Sequence, residues 1–147
     1  MSEPIIRIAQ PEDGESILKL MQELGYQINF DDLLANLETY KGSSEVVLVA
    51  ETNVGVVGFL SFHAIPLFHQ RGKLGRITAM CVSSSSRRQG IGKLLLSHLD
   101  VVAVDLGCQR IEVLSGDHRV DEAHQFYQSC DYKVDIRRFQ KILTSST

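Results

Sequence analysis

One short segment, Arg87-Arg88-Gln89-Gly90-Ile91-Gly92, constrains the fold of this chain more than any other. It stands where the apolar period changes. Leu74 to Val82 (LGRITAMCV) reads as a strand, whereas Ile91, Leu94, Leu95, Leu99, Val102 and Leu106 recur at helical spacing. Gly90 and Gly92 carry no Cβ, so a ligand can come close to the backbone. The first turn of the following helix has N–H groups without intrahelical partners. Those groups and the helix dipole favour an anion, and Arg87 and Arg88 add charge beside them. Either the segment cradles a pyrophosphate, or it is an ordinary turn that uses glycine for tight packing. It is not a P-loop, because Gly92-Lys93 is followed by Leu94 instead of Ser or Thr. It is not a dinucleotide fingerprint, because no third glycine follows Gly92 at the required spacing.

The rest of the chain supplies the frame around that junction. Ile5 to Ala9 alternates as a first strand, and Pro11 opens a helix through Ile17, Leu18, Leu20, Met21 and Leu24 that Gly25 stops. Asp31 or Asp32 starts a second helix carrying Leu33, Leu34, Leu37 and Tyr40. Val46 to Ala50 and Val56 to Phe62 form a hairpin about Thr52 to Gly55, and Pro66 to Lys73 is a polar loop. Beyond the long helix ending at Gly107, Arg110 to Leu114 is a strand, Asp121 to Ser129 a helix, and Tyr132 to Leu143 one or two strands. The order predicts an α/β fold of the α+β type: a mixed, mostly antiparallel sheet of six to seven strands with about four helices. One domain spans residues 1–147, with 144–147 as a frayed tail.

Charge and composition narrow the partners. The net charge is −3 with no basic block, which argues against nucleic acid, since phosphate binding concentrates Lys and Arg. No segment approaches the length of an apolar membrane span, and the opening MSEPIIRIAQPEDGE lacks the basic head and apolar run of a signal peptide. Cys81, Cys108 and Cys130 are odd in number and widely spaced, so they read as buried thiols in a reducing cytosol. These features predict a cytoplasmic protein without a membrane partner. His63, His69, His118 and His124 lack the close spacing of a metal site, and no metal is expected.

Arg87 to Gly92 also matches the R/Q-x-x-G-x-G/A motif, and Ala123-His124-Gln125-Phe126-Tyr127 follows as an A-x-x-F-Y helix. With the opening Ile6-Arg7-Ile8-Ala9, these motifs resemble the GNAT superfamily of N-acyltransferases over about residues 4 to 143. Cys130-Asp131-Tyr132 departs from the Gly-Phe or Gly-Tyr pair usual there. The resemblance implies an N-acetyltransferase that moves an acetyl group from acetyl-CoA to a primary amine of a small molecule or a protein. By that resemblance, the backbone of Arg88, Gln89, Gly90, Ile91, Gly92 and Lys93 binds the coenzyme A pyrophosphate, with Arg87 beside it. The strand at Met80, Cys81 and Val82 then pairs with the pantetheine arm and offers an N–H to the oxyanion.

By the same resemblance Tyr127 becomes the general acid that protonates the leaving thiolate; from the residues alone it reads first as a core aromatic with a satisfied hydroxyl. Many relatives carry a glutamate before the glycine loop, but no carboxylate lies between Gly75 and Val82. His63, His69, Asp117, His118 and Asp121 are candidate bases, and each is otherwise a surface polar residue. The missing glutamate also admits a second reading, a non-catalytic acyl-CoA-binding module. Exposed sheet edges predict a homodimer paired through Tyr132 to Leu143.

Overall fold

A five-stranded sheet, in spatial order β1-β2-β3-β4-β5, organises the first part of the chain. Its strands are β1 (Ile5–Ile8), β2 (Glu45–Thr52), β3 (Gly55–Pro66), β4 (Lys73–Val82) and β5 (Cys108–Val113). Helices α1 (Gly14–Glu23) and α2 (Phe30–Thr39) follow β1, α3 (Ile91–Asp105) joins β4 to β5, and α4 (Val120–Ser129) follows β5. This computed structural model describes residues 3–114, 120–134 and 138–143. The chain divides into two units, Met1–Leu114 and Ser115–Thr147.

In the first unit, β1 to β4 pair antiparallel in sequence order, and β5 joins β4 in parallel. Only the last link needs a crossover, which α3 provides. Strand alternation assigns the two faces. Val47, Val49, Phe59 and Cys81 meet Ile17, Leu20, Leu33 and Leu37 of α1 and α2 in one buried cluster. The opposite face, with Leu48, Leu60 and Phe62 all buried, meets α3. There Gly58 allows close packing: a Cβ on it would lie 3.4 Å from Ile91 and Leu95 side-chain carbons.

Local chemistry explains the boundaries. Helix α2 starts at Phe30, before the expected aspartates, because the Asn29 side chain accepts from Asp32 N–H at 2.8 Å. Gly25, at φ 90°, ends α1 as expected; its N–H reaches Gln22 O and that of Tyr26 reaches Met21 O. The expected hairpin forms through Asn53 and Val54, with Gly55 at φ 116° carrying the turn.

Two expectations are corrected. The described residues hold five strands in place of six to seven. In the expected terminal strand, Tyr132–Val134 and Arg138–Leu143 are not in a strand, and residues 135–137 lie outside the described ones. Alternation shows that a segment can sit on a pleat, but a strand also requires a ladder partner, and none is present among the described residues. Of the three cysteines, only Cys81 is fully buried; Cys108 and Cys130 are half-buried. Among the described residues no helix is long and apolar enough to cross a membrane.

Asp13 fastens the start of the fold. Its carboxylate accepts from Arg7 at 2.8 and 2.9 Å and from Gln10 N–H at 2.7 Å. Those bonds from Arg7 hold its pKa below the usual carboxylate range, against the opposing effect of burial. A depressed folded pKa contributes stability that is present above the ordinary carboxylate pKa and lost as pH falls through the depressed one. Asp13→Asn is expected to cost about 2 kcal/mol at neutral pH. In urea unfolding the gap from wild type should close under acid, and a gap independent of pH would exclude the ionic link.

Candidate active site

Between β4 and α3 the backbone makes two left-handed steps, Arg88 at φ 66° and Gly90 at φ 78°. Gly90 occupies the N-cap position, where its carbonyl accepts from Leu94 N–H at 3.0 Å. As a glycine, the N-cap residue offers no capping side chain, and the first turn holds no acidic residue. The N-terminal N–H groups of α3 are thus left without the side-chain acceptor that Ser, Thr, Asn or Asp would supply. Ile91 is fully buried and anchors the turn in the core, whereas Arg87, Arg88, Gln89, Gly90 and Lys93 are exposed and Gly92 is half-buried. Arg87 Nε donates to Val82 O at 3.4 Å, and Ser84 N–H donates to Glu23 at 3.1 Å, tying the loop to β4 and α1.

Strand β4 has a second special feature. Among the described residues its parallel ladder to β5 ends at Ile77↔Val113, and Thr78 to Val82 continue beyond it. Met80, Cys81 and Val82 therefore lie on the part of β4 past the β5 ladder and next to the loop. On the β3 side, Ser61 pairs with Ala79 and Phe62 with Ile77, so Thr78 is the extra residue of a bulge. The Thr78 hydroxyl lies 2.7 Å from that of Ser61 and 3.0 Å from that of Tyr40 at the end of α2. One strand lower, Glu112 of β5 accepts from Arg76 at 3.1 Å and from Arg110 at 3.0 Å. Burial raises its pKa, but the two guanidiniums outweigh burial and hold it below the usual range. A carboxylate so held is a poor base. No short motif marks these groups; their signal in the sequence is charged residues within the strand segments LGRITAM and CQRIEV.

The other candidates divide. His63 Nε2 lies 3.3 Å from Glu45, on neighbouring strands. His69 is exposed in the β3–β4 loop. Asp117, His118 and the Asp121 side chain lie outside the described residues. Among the described residues no three His, Cys, Asp or Glu side chains gather as a metal site would.

In the second unit, Tyr127 lies on α4, half-buried, with ring centroids 5.3 Å from Phe126 and 5.8 Å from Tyr132. The helix closes as glycine-ended helices do: Asp131 N–H reaches Gln128 O and Tyr132 N–H reaches Tyr127 O. Asp131 takes φ 71° at the turn itself, a conformation Asp tolerates better than most residues, which accounts for the missing glycine.

Comparison with known proteins now decides the family. Residues 8–132 match the Acetyltransferase (GNAT) family. The chain belongs to the GNAT family of acetyltransferases. It is an N-acetyltransferase, and the expected mixed fold is the fold of its relatives. The enzyme is 32% identical over 143 residues to an aminoalkylphosphonate N-acetyltransferase of Salmonella typhimurium, covering 94% of this chain and 90% of the other. Two solved structures share its fold. A GNAT family acetyltransferase of Staphylococcus aureus has a TM-score of 0.78 at 24% identity, over 97% of this chain and 100% of that one. A glucosamine-6-phosphate N-acetyltransferase of Arabidopsis thaliana has a TM-score of 0.82 at 18% identity, with the same coverages.

Gly90→Ala isolates the backbone requirement. A Cβ at Gly90 meets nothing within 4 Å, so only the left-handed φ opposes it. The expected loss is about 1 kcal/mol, read by urea unfolding. A loss several times larger would mean that the side chain clashes.

Proposed function

We propose that the enzyme binds acetyl-CoA at the start of α3 and passes the acetyl group to a small primary amine in the cytoplasm, both units acting as one domain. The supporting observation is the uncapped N-terminus of α3, entered through left-handed Arg88 and Gly90 with no acidic residue in its first turn. Backbone N–H groups from Arg88 to Lys93 fit a pyrophosphate, and exposed Arg87, Arg88 and Lys93 complement its charge. Met80 to Val82 is extended backbone of the kind that pairs with the amide-rich pantetheine arm. A backbone N–H of this stretch is the donor assigned to the oxyanion. The family match spans both units, which supports the single domain.

The neutral amine attacks the thioester carbonyl, its nitrogen gives up one proton to solvent, the tetrahedral intermediate collapses, and the C–S bond breaks. Tyr127 is the residue assigned to protonate the departing thiolate. Its support is the A-x-x-F-Y pattern, kept as Ala123 to Tyr127. The acceptor class follows the Salmonella relative, whose name states an aminoalkylphosphonate. A short primary amine bearing an acidic group is accordingly the substrate proposed here.

Two substitutions test this reading. Gly90→Glu places a carboxylate in the cradle and should weaken acetyl-CoA binding by about tenfold or more with the fold retained. Unchanged affinity by calorimetry excludes the site. Tyr127→Phe keeps the ring and removes the proton, so single-turnover acetylation should slow by roughly 10²–10⁴ with acetyl-CoA affinity preserved. A wild-type chemical rate in that variant would remove Tyr127 from the mechanism.

A further inference from the structure

Four residues in register form one polar row across the sheet: Glu45↔His63, His63↔Arg76 and Arg76↔Glu112. They share the face that carries Val47 and Phe59, where α1 and α2 pack further along. Arg110 lies on the same face two residues before Glu112 and donates to it. The pairing within the row is uneven. Glu45 meets His63, while the single carboxylate of Glu112 serves both Arg76 and Arg110. Two guanidiniums and one carboxylate leave one positive charge in excess at the β4–β5 end.

Arg76 is also incompletely satisfied. Its Nε is buried and has no hydrogen-bond partner among the described residues. A buried donor without an acceptor is costly; that atom is closed to a ligand, so an oxyacid oxygen would meet the exposed part of the same guanidinium. The guanidinium side chains of Arg76 and Arg110 remain 39% and 49% exposed, so a ligand can reach both. The planar forks of two arginines suit the oxygens of a phosphonate or carboxylate. Arg76 precedes Thr78 by two residues, about 7 Å along a strand. Thr78 is the bulge residue where β4 passes beyond the β5 ladder.

Resting on the acyl-transfer reading above, we infer that Arg76 and Arg110 bind the anionic group of the acceptor, directing its amine toward Thr78 and the proposed thioester position. Glu112 spaces and orients the two guanidiniums, and the excess charge selects acidic amines over neutral ones.

The test uses the full-length enzyme, acetyl-CoA, and three amines: 2-aminoethylphosphonate, β-alanine and n-propylamine, with Arg76→Gln, Arg110→Gln and Glu112→Gln variants. Thermal unfolding checks that each variant is folded. The wild type should prefer the two acidic amines. Each arginine variant should lose about tenfold or more in kcat/KM for them, mostly through KM, with n-propylamine and the KM for acetyl-CoA within about twofold. Glu112→Gln should lower KM for the acidic amines, whereas a purely structural Glu112 would leave their ratio to n-propylamine unchanged. Which acidic amine is preferred tells phosphonate from carboxylate. Equal losses on acidic and neutral amines would reduce the arginines to a β4–β5 clasp and overturn the assignment, as would no loss. Acetylation of n-propylamine alone would end the acidic-acceptor reading while leaving acetyl transfer intact. Independently of turnover, calorimetry with methylphosphonate should detect binding to the wild type and none to the double arginine variant. No binding to the wild type at millimolar concentration would also overturn the site.

Discussion

Strand β4 has two neighbours that run in different directions and part from it at different points. Its antiparallel ladder with β3 extends to Val82, whereas among the described residues its parallel ladder with β5 stops at Ile77. β3 therefore holds the remainder of β4 in register while the chain leaves for α3. That support fixes the end of the strand, the loop after it and the start of the helix together. Ile91, fully buried beneath the turn, closes the junction from below. The left-handed step at Gly90 costs little because glycine has no Cβ, whereas Arg88 bears the ordinary penalty of a side chain at positive φ.

Charge is organised locally in this enzyme. A net charge of −3 gives no general attraction for an anion. Anion affinity must come from oriented backbone dipoles at α3 and from arginines held in fixed positions. The two arginine clusters differ in balance. Arg7 serves two carboxylates, Asp13 and Glu51, and its pKa is raised chiefly by hydrogen bonding to them; that cluster ties β1 to β2 and to the first helical turn. At the other end of the sheet one carboxylate serves two arginines. The first is saturated and structural, and the second has donors to spare.

Much of the fold was legible in the residues because the signals were local. The helical repeat from Ile91 to Leu106, the alternation of Ile5 to Ala9, and glycines at positions 25 and 107 each report on a few neighbours along the chain. Whether Tyr132 to Leu143 would form a strand was not legible, because pairing depends on residues far away in sequence, and the described residues of that segment form none. The helix start at Phe30 was missed for a smaller reason: Asn29 competes with two aspartates that look equally suited to capping.

The sequence by itself determined the family, the junction between β4 and α3, and Tyr127 as the residue to test. These reside in short motifs whose meaning survives without coordinates. Only the tertiary structure decided that Thr78 is a bulge, that Tyr40 and Ser61 meet it, and that Arg76, Arg110 and Glu112 gather beside it. Those residues come from α2, β3, β4 and β5, and nothing along the chain relates them. Strand register brings them together: one residue of bulge at Thr78 changes which face every earlier β4 side chain presents.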